Sequence, residues 1–354
     1  MEISSSVYVG IFLKLDVLKH ILKHFIVIEY LLTDNKNLQE DEMDSKKKGI
    51  GLVVIATAFW GMMGITSRKL SLSGLSTFDV SFLRCLIAGL LFTFWILRKD
   101  KNLLKLDIKG IIICSLYGIV AFASSFISYN ISVERIPISI ATVLMFTNPI
   151  WVTVFGFILF KEKITKKKVF VIILCILGCL CIADIFTTKN IDLDIIGVMA
   201  GLANGVTFAL QIIIPRFFDG KYEKDTMLVY GFISGALFLL FFTDLSNITR
   251  SIHNNTQPMS VVMNILSIAI LSTFIANTFY VKATEYIDTS LTSILVSLDP
   301  VLGSFFAFIV FGETLNLIQI LGAIIVILAA IILEVDIKVF INNIKLNLKK
   351  EESQ

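Results

Sequence analysis

Ten apolar stretches of about 20 residues follow one another through most of this 354-residue sequence. A helix needs about 20 apolar residues to cross a hydrocarbon core roughly 30 Å thick. The stretches lie at 50–67, 76–97, 110–131, 138–160, 169–186, 194–215, 225–243, 261–281, 291–311 and 317–335. The 56% hydrophobic content leaves little sequence for a soluble domain. The pattern predicts an all-α integral membrane protein with ten transmembrane helices.

The distribution of Lys and Arg between the stretches predicts the side of the membrane on which each loop lies. With the amino terminus inside, the inner loops hold about four times as many basic residues as the outer ones. Lys46–Lys48 and Lys166–Lys168 are examples on the inner side. We therefore expect a multi-pass protein of the plasma membrane with both termini in the cytoplasm. The net charge of +3 reflects these clusters, and we infer no nucleic-acid partner from it.

The sequence also contains an internal repeat. A shift of 151 residues superposes Tyr129–Ile164 on Tyr280–Leu315 without a gap. The aligned pairs include Tyr129 with Tyr280, Glu134 with Glu285, Pro149 with Pro300 and Glu162 with Glu313. Each half then holds five helices, and an odd number forces the second half to enter the membrane from the opposite side. We predict two inverted five-helix repeats, 49–187 and 192–336.

The segments 1–48 and 337–354 lie outside the two repeats. We expect the first to be a cytoplasmic or interfacial extension and the second a cytoplasmic tail. Residues 15–25 combine one charged helical face with apolar residues elsewhere, which suits a helix in the membrane interface. The alternative is a misplaced start codon before residue 43, because Met43 and a lysine cluster lead directly into the first stretch.

All five cysteines fall in apolar stretches, which argues against a disulfide framework. They are Cys85, Cys114, Cys175, Cys179 and Cys181. A metal site would need nearby His, Cys or carboxylate partners, and none accompanies them in the sequence. We predict no cofactor and no metal.

Several local features carry a family resemblance that extends over about residues 49–335. They are Ala58-Phe59-Trp60-Gly61, Arg84, Pro149 followed by Phe160-Lys161-Glu162-Lys163, and Asp299-Pro300 followed by Phe311-Gly312-Glu313-Thr314-Leu315. With these features the chain resembles the EamA-type proteins of the drug/metabolite transporter superfamily. It departs from them at Lys161, where the first repeat often has Gly, and at Asn204-Gly205, where the second often has Trp. The resemblance implies a ten-helix transporter with a central cavity for small metabolites such as amino acids, in either direction.

Asp299-Pro300 and Asn148-Pro149 are the strongest candidates for a functional site. Polar residues at membrane depth are costly, and a proline removes a backbone donor beside them. Proline-interrupted helices at corresponding positions of two repeats point to a transporter's binding site. The Asp299 carboxylate could exchange a proton, bind a cation or meet a substrate amine. Alternatively, it hydrogen-bonds the backbone freed by Pro300 or pairs with Arg84.

Arg84 is a cation inside the second apolar stretch. It needs a carboxylate, carbonyl groups or an anionic substrate group, or it extends to the outer interface. Further candidates for the substrate pathway, which could equally serve helix packing, are Trp60, Tyr129, Asn130, Asn204, Gln211, Asn277 and Tyr280. Glu162 and Glu313 are better explained as caps or hinge anchors than as gates.

The leading hypothesis is a secondary transporter that moves a small metabolite by alternating access, with proton coupling through Asp299. A membrane-embedded enzyme is less favoured because the three histidines, His20, His24 and His253, lie outside the stretches. A phosphate-binding Gly-Lys-Ser or Gly-Lys-Thr motif is also missing, which argues against ATP-driven transport. A receptor without transport activity gives no reason for the inverted repeat. A homodimer is compatible with the sequence, which fixes neither the substrate nor the direction of transport.

Overall fold

The computed structural model describes residues 40–185, 194–311 and 316–334, and the regular structure in these ranges is helical. Its ten main helices are numbered like the apolar stretches. They are α1 Glu40–Leu72, α2 Thr77–Lys99, α3 Ile108–Arg135, α4 Ile138–Phe160, α5 Lys166–Ile182, α6 Ile195–Phe217, α7 Lys224–Phe242, α8 Pro258–Ala283, α9 Thr289–Val296 with Asp299–Phe311, and α10 Leu317–Glu334. The bounds agree with the predicted stretches to within three residues, except at both ends of α1 and at the ends of α3 and α5.

Eight of these helices, α1 to α4 and α6 to α9, are long and apolar enough to cross a membrane by length and composition. Helix α10 is a shorter apolar helix, and the 17-residue α5 packs against it. Large apolar side chains such as Trp95, Phe157 and Ile173 are exposed on the outside of the bundle, as expected where lipid is the solvent. The predicted all-α membrane protein is confirmed, with a helix at each of the ten predicted places.

The helices pack in combinations that match between the two repeats. Helix α2 packs on α7, and α5 packs on α10. Helix α1 packs on α8 and α9, while α6 packs on α3 and α4. Exchanging the first five helices with the last five, in order, converts this set of contacts into itself. That is the pseudo-two-fold pattern that two inverted repeats require.

Both ends of the α2–α7 pair are tied down by polar contacts. At the start of α2, the fully buried Asp79 accepts hydrogen bonds from Ser76 N at 3.0 Å and from Asn247 Nδ2 at 2.8 Å. At the other end, Lys99 Nζ lies 3.2 Å from Asp225 Oδ2. Because a buried carboxylate needs such donors, these contacts fix α2 and the residues that it carries relative to α7.

Helices α4 and α9 are each interrupted in the middle. Helix α4 consists of Ile138–Met145 and Asn148–Phe160, and α9 of Thr289–Val296 and Asp299–Phe311. Pro149 and Pro300 therefore occupy the second position of a new helix. There a proline costs no intrahelical hydrogen bond, because the first N–H groups of a helix have no partner within it.

Helices α3 and α8 each contain a π-helical segment, at Gly118–Ala123 and Ile270–Ile275. A π-helical turn holds one more residue than an α-helical turn and changes the carbonyl pairing around it. The two segments lie at equivalent places in the two repeats. In α3 the backbone passes so close to α7 that a Cβ at residue 118 would lie 2.0 Å from Gly231 O. Only glycine permits this approach.

Helix α1 begins at Glu40, well before the start predicted at residue 50. Residues 40–48 are mostly charged good helix formers, so the helix continues past the apolar stretch. The predicted interfacial helix at 15–25, the tail at 337–354 and Glu313 lie outside the described residues.

Candidate functional site

Asp299 begins the second half of α9, directly after the turn at Ser297 and Leu298. Its side chain is half-buried and has no hydrogen-bond or ion-pair partner in the described part of the chain. Tyr129 and Cys179 lie within its electrostatic range. Neither structural use considered for this carboxylate, pairing with Arg84 or bonding to freed backbone, is observed.

Asn148 occupies the same position in α4 but is almost completely buried, with 1% exposure. Its Oδ1 is enclosed and has no hydrogen-bond partner among the described residues. Asn204 of α6 donates from Nδ2 to Ser125 O at 2.6 Å, while its own Oδ1 is also unpaired. An unpaired buried acceptor costs about 1–3 kcal/mol. A donor group on a ligand would recover that energy.

Arg84 points into the helix bundle and is 8% exposed. Its Nε donates to Thr273 Oγ1 of α8 at 3.0 Å, and its guanidinium lies 4.5 Å from the ring centroid of Phe126 in α3. Within the described ranges, no carboxylate lies within ion-pair distance of it. The positive charge is therefore held by neutral groups alone.

Arg84 and Asp299 both lie near residues 126–130 of α3. Phe126 contacts Arg84, and Tyr129 is in range of Asp299. Asn130 follows directly, with Nδ2 3.5 Å from Ser81 Oγ of α2. Residues 126 to 130 span a single helical turn of about 5.4 Å. Two opposite charges thus lie near the same short segment, and no ion pair joins them in the described part of the chain.

An aromatic cluster joins two further candidates, Trp60 of α1 and Tyr280 of α8. Their ring centroids are 5.1 Å apart at 61°, and Phe208 of α6 lies 6.1 Å from Trp60. The Tyr280 hydroxyl is enclosed and unpaired among the described residues. A buried Tyr hydroxyl normally finds a partner, and the described residues supply none for this one.

The side chains of Gln211 and Asn277 donate hydrogen bonds to backbone carbonyl groups instead. Gln211 Nε2 donates to Ala121 O in the π-helical segment of α3 at 3.1 Å, and Asn277 Nδ2 donates to Thr273 O in that of α8 at 2.7 Å. Tyr117 Oη donates to the Gln211 carbonyl at 3.0 Å. These amides satisfy carbonyl groups that the π-helical geometry leaves without their usual partners.

Sequence reasoning missed Phe126 and Thr273, which hold Arg84, and also Tyr117, Ser125 and Phe208. Each is an ordinary residue of a transmembrane helix, and four of the five contacts join helices far apart in the sequence. No spacing or composition signal marks them.

Glu162, just past the end of α4, connects both repeats at the predicted cytoplasmic end. Its Oε1 lies 2.6 Å from Arg216 Nη1 of α6, and its Oε2 lies 3.4 Å from Lys168 Nζ of α5 and 3.3 Å from Ser290 Oγ of α9. Arg216 also donates to Thr289 Oγ1 at 2.6 Å. Burial raises the pKa of Glu162, but the hydrogen bond from Arg216 and the charges of Arg216 and Lys168 outweigh it and leave the pKa below its ordinary value. We call these five residues the Glu162 network.

Comparison with known proteins identifies relatives along most of the chain. The sequence profile of the EamA-like transporter family matches residues 47–183 and again 195–335. An uncharacterized transporter of Archaeoglobus fulgidus is 25% identical, covering 78% of this chain and 95% of its own. The uncharacterized inner membrane transporter YicL of Salmonella typhimurium is 21% identical, covering 83% and 97%. A crystal structure with 13% identity superposes with a TM-score of 0.67 over 81% of this chain and 96% of that one, which supports the fold.

Proposed function

Because this chain belongs to the EamA-like transporter family and is a multi-pass membrane transporter, we propose that it moves a small metabolite, an amino acid or similar compound, by alternating access. We propose further that it acts in the cytoplasmic membrane as a secondary transporter, coupled to protons through Asp299.

The paired helix interruptions carry this proposal. In each repeat a helix restarts at a polar residue, Asn148 in α4 and Asp299 in α9, and both side chains have unpaired oxygen atoms. Polar groups inside a membrane protein are retained where they bind substrates or ions. Asp299 would accept a proton or hydrogen bonds from a substrate ammonium group. The Asn148 Oδ1 atom would accept a hydrogen bond from a donor group of the substrate.

The pathway between the two interruptions would be lined by Tyr129, Asn130, Asn204, Trp60 and Tyr280. Their contacts join α1, α3, α6 and α8, the helices that exchange under the pseudo-two-fold relation. Alternating access requires the repeats to move against each other around such a site. In the present conformation the Glu162 network would close the predicted cytoplasmic end.

The experiment for coupling compares the wild-type protein with Asp299→Asn. Cells that overproduce the protein are first screened by mass spectrometry for metabolites that they export or retain. The metabolite found is then used in proteoliposomes, with a pH-sensitive dye inside to record proton movement. We expect Asp299→Asn to insert and fold normally but to lose flux or its pH dependence.

Asp219→Asn is the matched control, because this carboxylate is 66% exposed and lies 3.9 Å from its cation Lys224. It should leave flux unchanged. Wild-type flux and pH dependence in Asp299→Asn would refute the coupling role.

The proposed orientation can be tested separately. Cysteines introduced at the exposed positions Lys221 and Asn254 should react with impermeant reagents from the cytoplasmic and the outer side, respectively. Labelling of both positions from one side would contradict the crossing of the membrane by α7. Labelling of each position from the opposite side to the one expected would contradict the placement of both termini in the cytoplasm.

A further inference from the structure

We infer that Arg84 is a binding subsite for an anionic group of the transported molecule, a carboxylate or a similar oxyanion. The inference rests on the proposed transport function and adds the substrate class. Asp299 would meet an ammonium group of the same molecule, so the molecule expected is a small zwitterion.

The hydrogen bonds of Arg84 leave most of its donors unused. A guanidinium has five N–H donors in a fixed fork. Here Nε donates to Thr273 Oγ1, whereas the two Nη groups have no partner in the described part of the chain. These two nitrogen atoms are also not fully enclosed by the protein. The face of the guanidinium that binds carboxylates by two parallel hydrogen bonds is therefore free.

The position of Arg84 excludes the alternative that it extends to the outer interface. Its Nε bonds to Thr273, which lies in the π-helical segment near the middle of α8. Phe126 covers one face of the guanidinium. Both contacts hold the side chain at membrane depth, where an unneutralised cation costs several kcal/mol. A bound anion would remove much of that cost.

The surroundings also fix the guanidinium before a ligand arrives. Helix α2 is anchored to α7 and its neighbouring loops through Asp79 and Lys99. Thr273 and Phe126 then set the direction of the side chain. A group held in its binding geometry pays less entropy on binding. This arrangement is what an anion subsite needs.

The test uses the accessibility of Arg84 in the full-length wild-type protein in lipid nanodiscs. Methylglyoxal, which attacks free guanidinium nitrogens, is applied alone, with glycine, with acetate or with ethylammonium chloride, and modification is mapped by mass spectrometry. We expect modification of Arg84, slowed by glycine and acetate by a factor of 1 + [L]/Kd, about tenfold at about ten times Kd. Ethylammonium should not slow it.

Arg98 is the internal control, because its guanidinium also lies over a phenylalanine ring, that of Phe94 at 4.7 Å, but at the exposed end of α2. Its modification should not depend on the carboxylates. An unreactive Arg84, or a reactive Arg84 that no carboxylate protects, would overturn the subsite. Protection by acetate and glycine to the same extent would support the anion site while rejecting the contribution of the ammonium group.

The two proposals fail in different ways. If flux and its pH dependence are unchanged in Asp299→Asn while acetate still protects Arg84, proton coupling through Asp299 is refuted and the anion subsite is retained. If transport is observed but Arg84 is not protected, only the subsite falls.

Discussion

Replacing Glu162 by Gln should open the predicted cytoplasmic end of the protein. The substitution keeps the size of the side chain and one acceptor oxygen but removes the charge that Arg216 and Lys168 share. A hydrogen bond between charged groups contributes about 1.5–3 kcal/mol. Because the Glu162 and Arg216 side chains are 22% and 30% exposed, screening leaves about 1–2 kcal/mol. The equilibrium should shift toward the open form by a factor of about 5 to 30.

Cys175 is a native reporter for this opening. It is fully buried in the middle of α5, between the cytoplasmic start at Lys166 and the end at Ile182. In a variant that keeps Cys175 and replaces the other four cysteines by Ala, an impermeant thiol reagent is applied from the cytoplasmic side. The labelling rate of Glu162→Gln should exceed that of the parent by about the same factor, since labelling follows the open population.

Two comparisons make this prediction decisive. Glu223→Gln changes an exposed carboxylate near the same end and should label like the parent. Arg216→Gln in the Glu162→Gln background should add little, because the two residues share one interaction. An unchanged labelling rate in a correctly folded Glu162→Gln protein would show that the Glu162 network does not keep this end closed.

The same network has a defined pH dependence. The pKa of Glu162 is lowered from its ordinary value of 4.5, so the carboxylate is ionised throughout the neutral range. Its stabilising contribution is present above that ordinary value and is lost only as the pH falls through the lowered pKa. The Cys175 labelling rate, corrected for reagent chemistry, should therefore stay flat around neutral pH and rise only in acid. A change near neutral pH would assign the switch to another group.

Two further substitutions test the packing by thermal unfolding. Gly118→Ala places a Cβ 2.0 Å from Gly231 O and should cost about 1–3 kcal/mol or more, whereas Gly51→Ala, with nothing within 4 Å, should not destabilise the protein. Asn247→Ala removes the 2.8 Å hydrogen bond to Asp79 and should lower the free energy of unfolding by about 1–3 kcal/mol. An unchanged unfolding temperature would show that this contact is not needed for stability.

The predictable part of the fold depends on local signals. Apolar length predicted the helices, and the fit was closest where a stretch ends at a sharp polar boundary, as in Ile138–Phe160. The shift of 151 residues, from Tyr129 to Tyr280, predicted which helices correspond, and the packing follows that correspondence. The interruptions at Pro149 and Pro300 also follow from local chemistry, because proline restricts its own and the preceding backbone.

The unpredicted part depends on tertiary contacts. Arg84 was recognised as a cation needing a partner, but Thr273 is 189 residues away and nothing in its own sequence context marks it. Glu162 was expected to be a cap or an anchor, and its contact with Arg216 joins two repeats. The π-helical segments escaped notice because one extra residue in a helix that is apolar on most sides leaves the hydropathy unchanged.

The π-helical segments Gly118–Ala123 and Ile270–Ile275 bear on how the two repeats evolved. A π-helical turn holds one residue more than the α-helical turn whose place it takes, as after the insertion of one residue. Two independent insertions at equivalent places are a less economical history than a single insertion before the gene duplicated. The ancestral unit of five helices would then already have carried it. Such a unit would have inserted into the membrane in both orientations and paired with itself. Each copy would have had this turn before the two were joined in one chain.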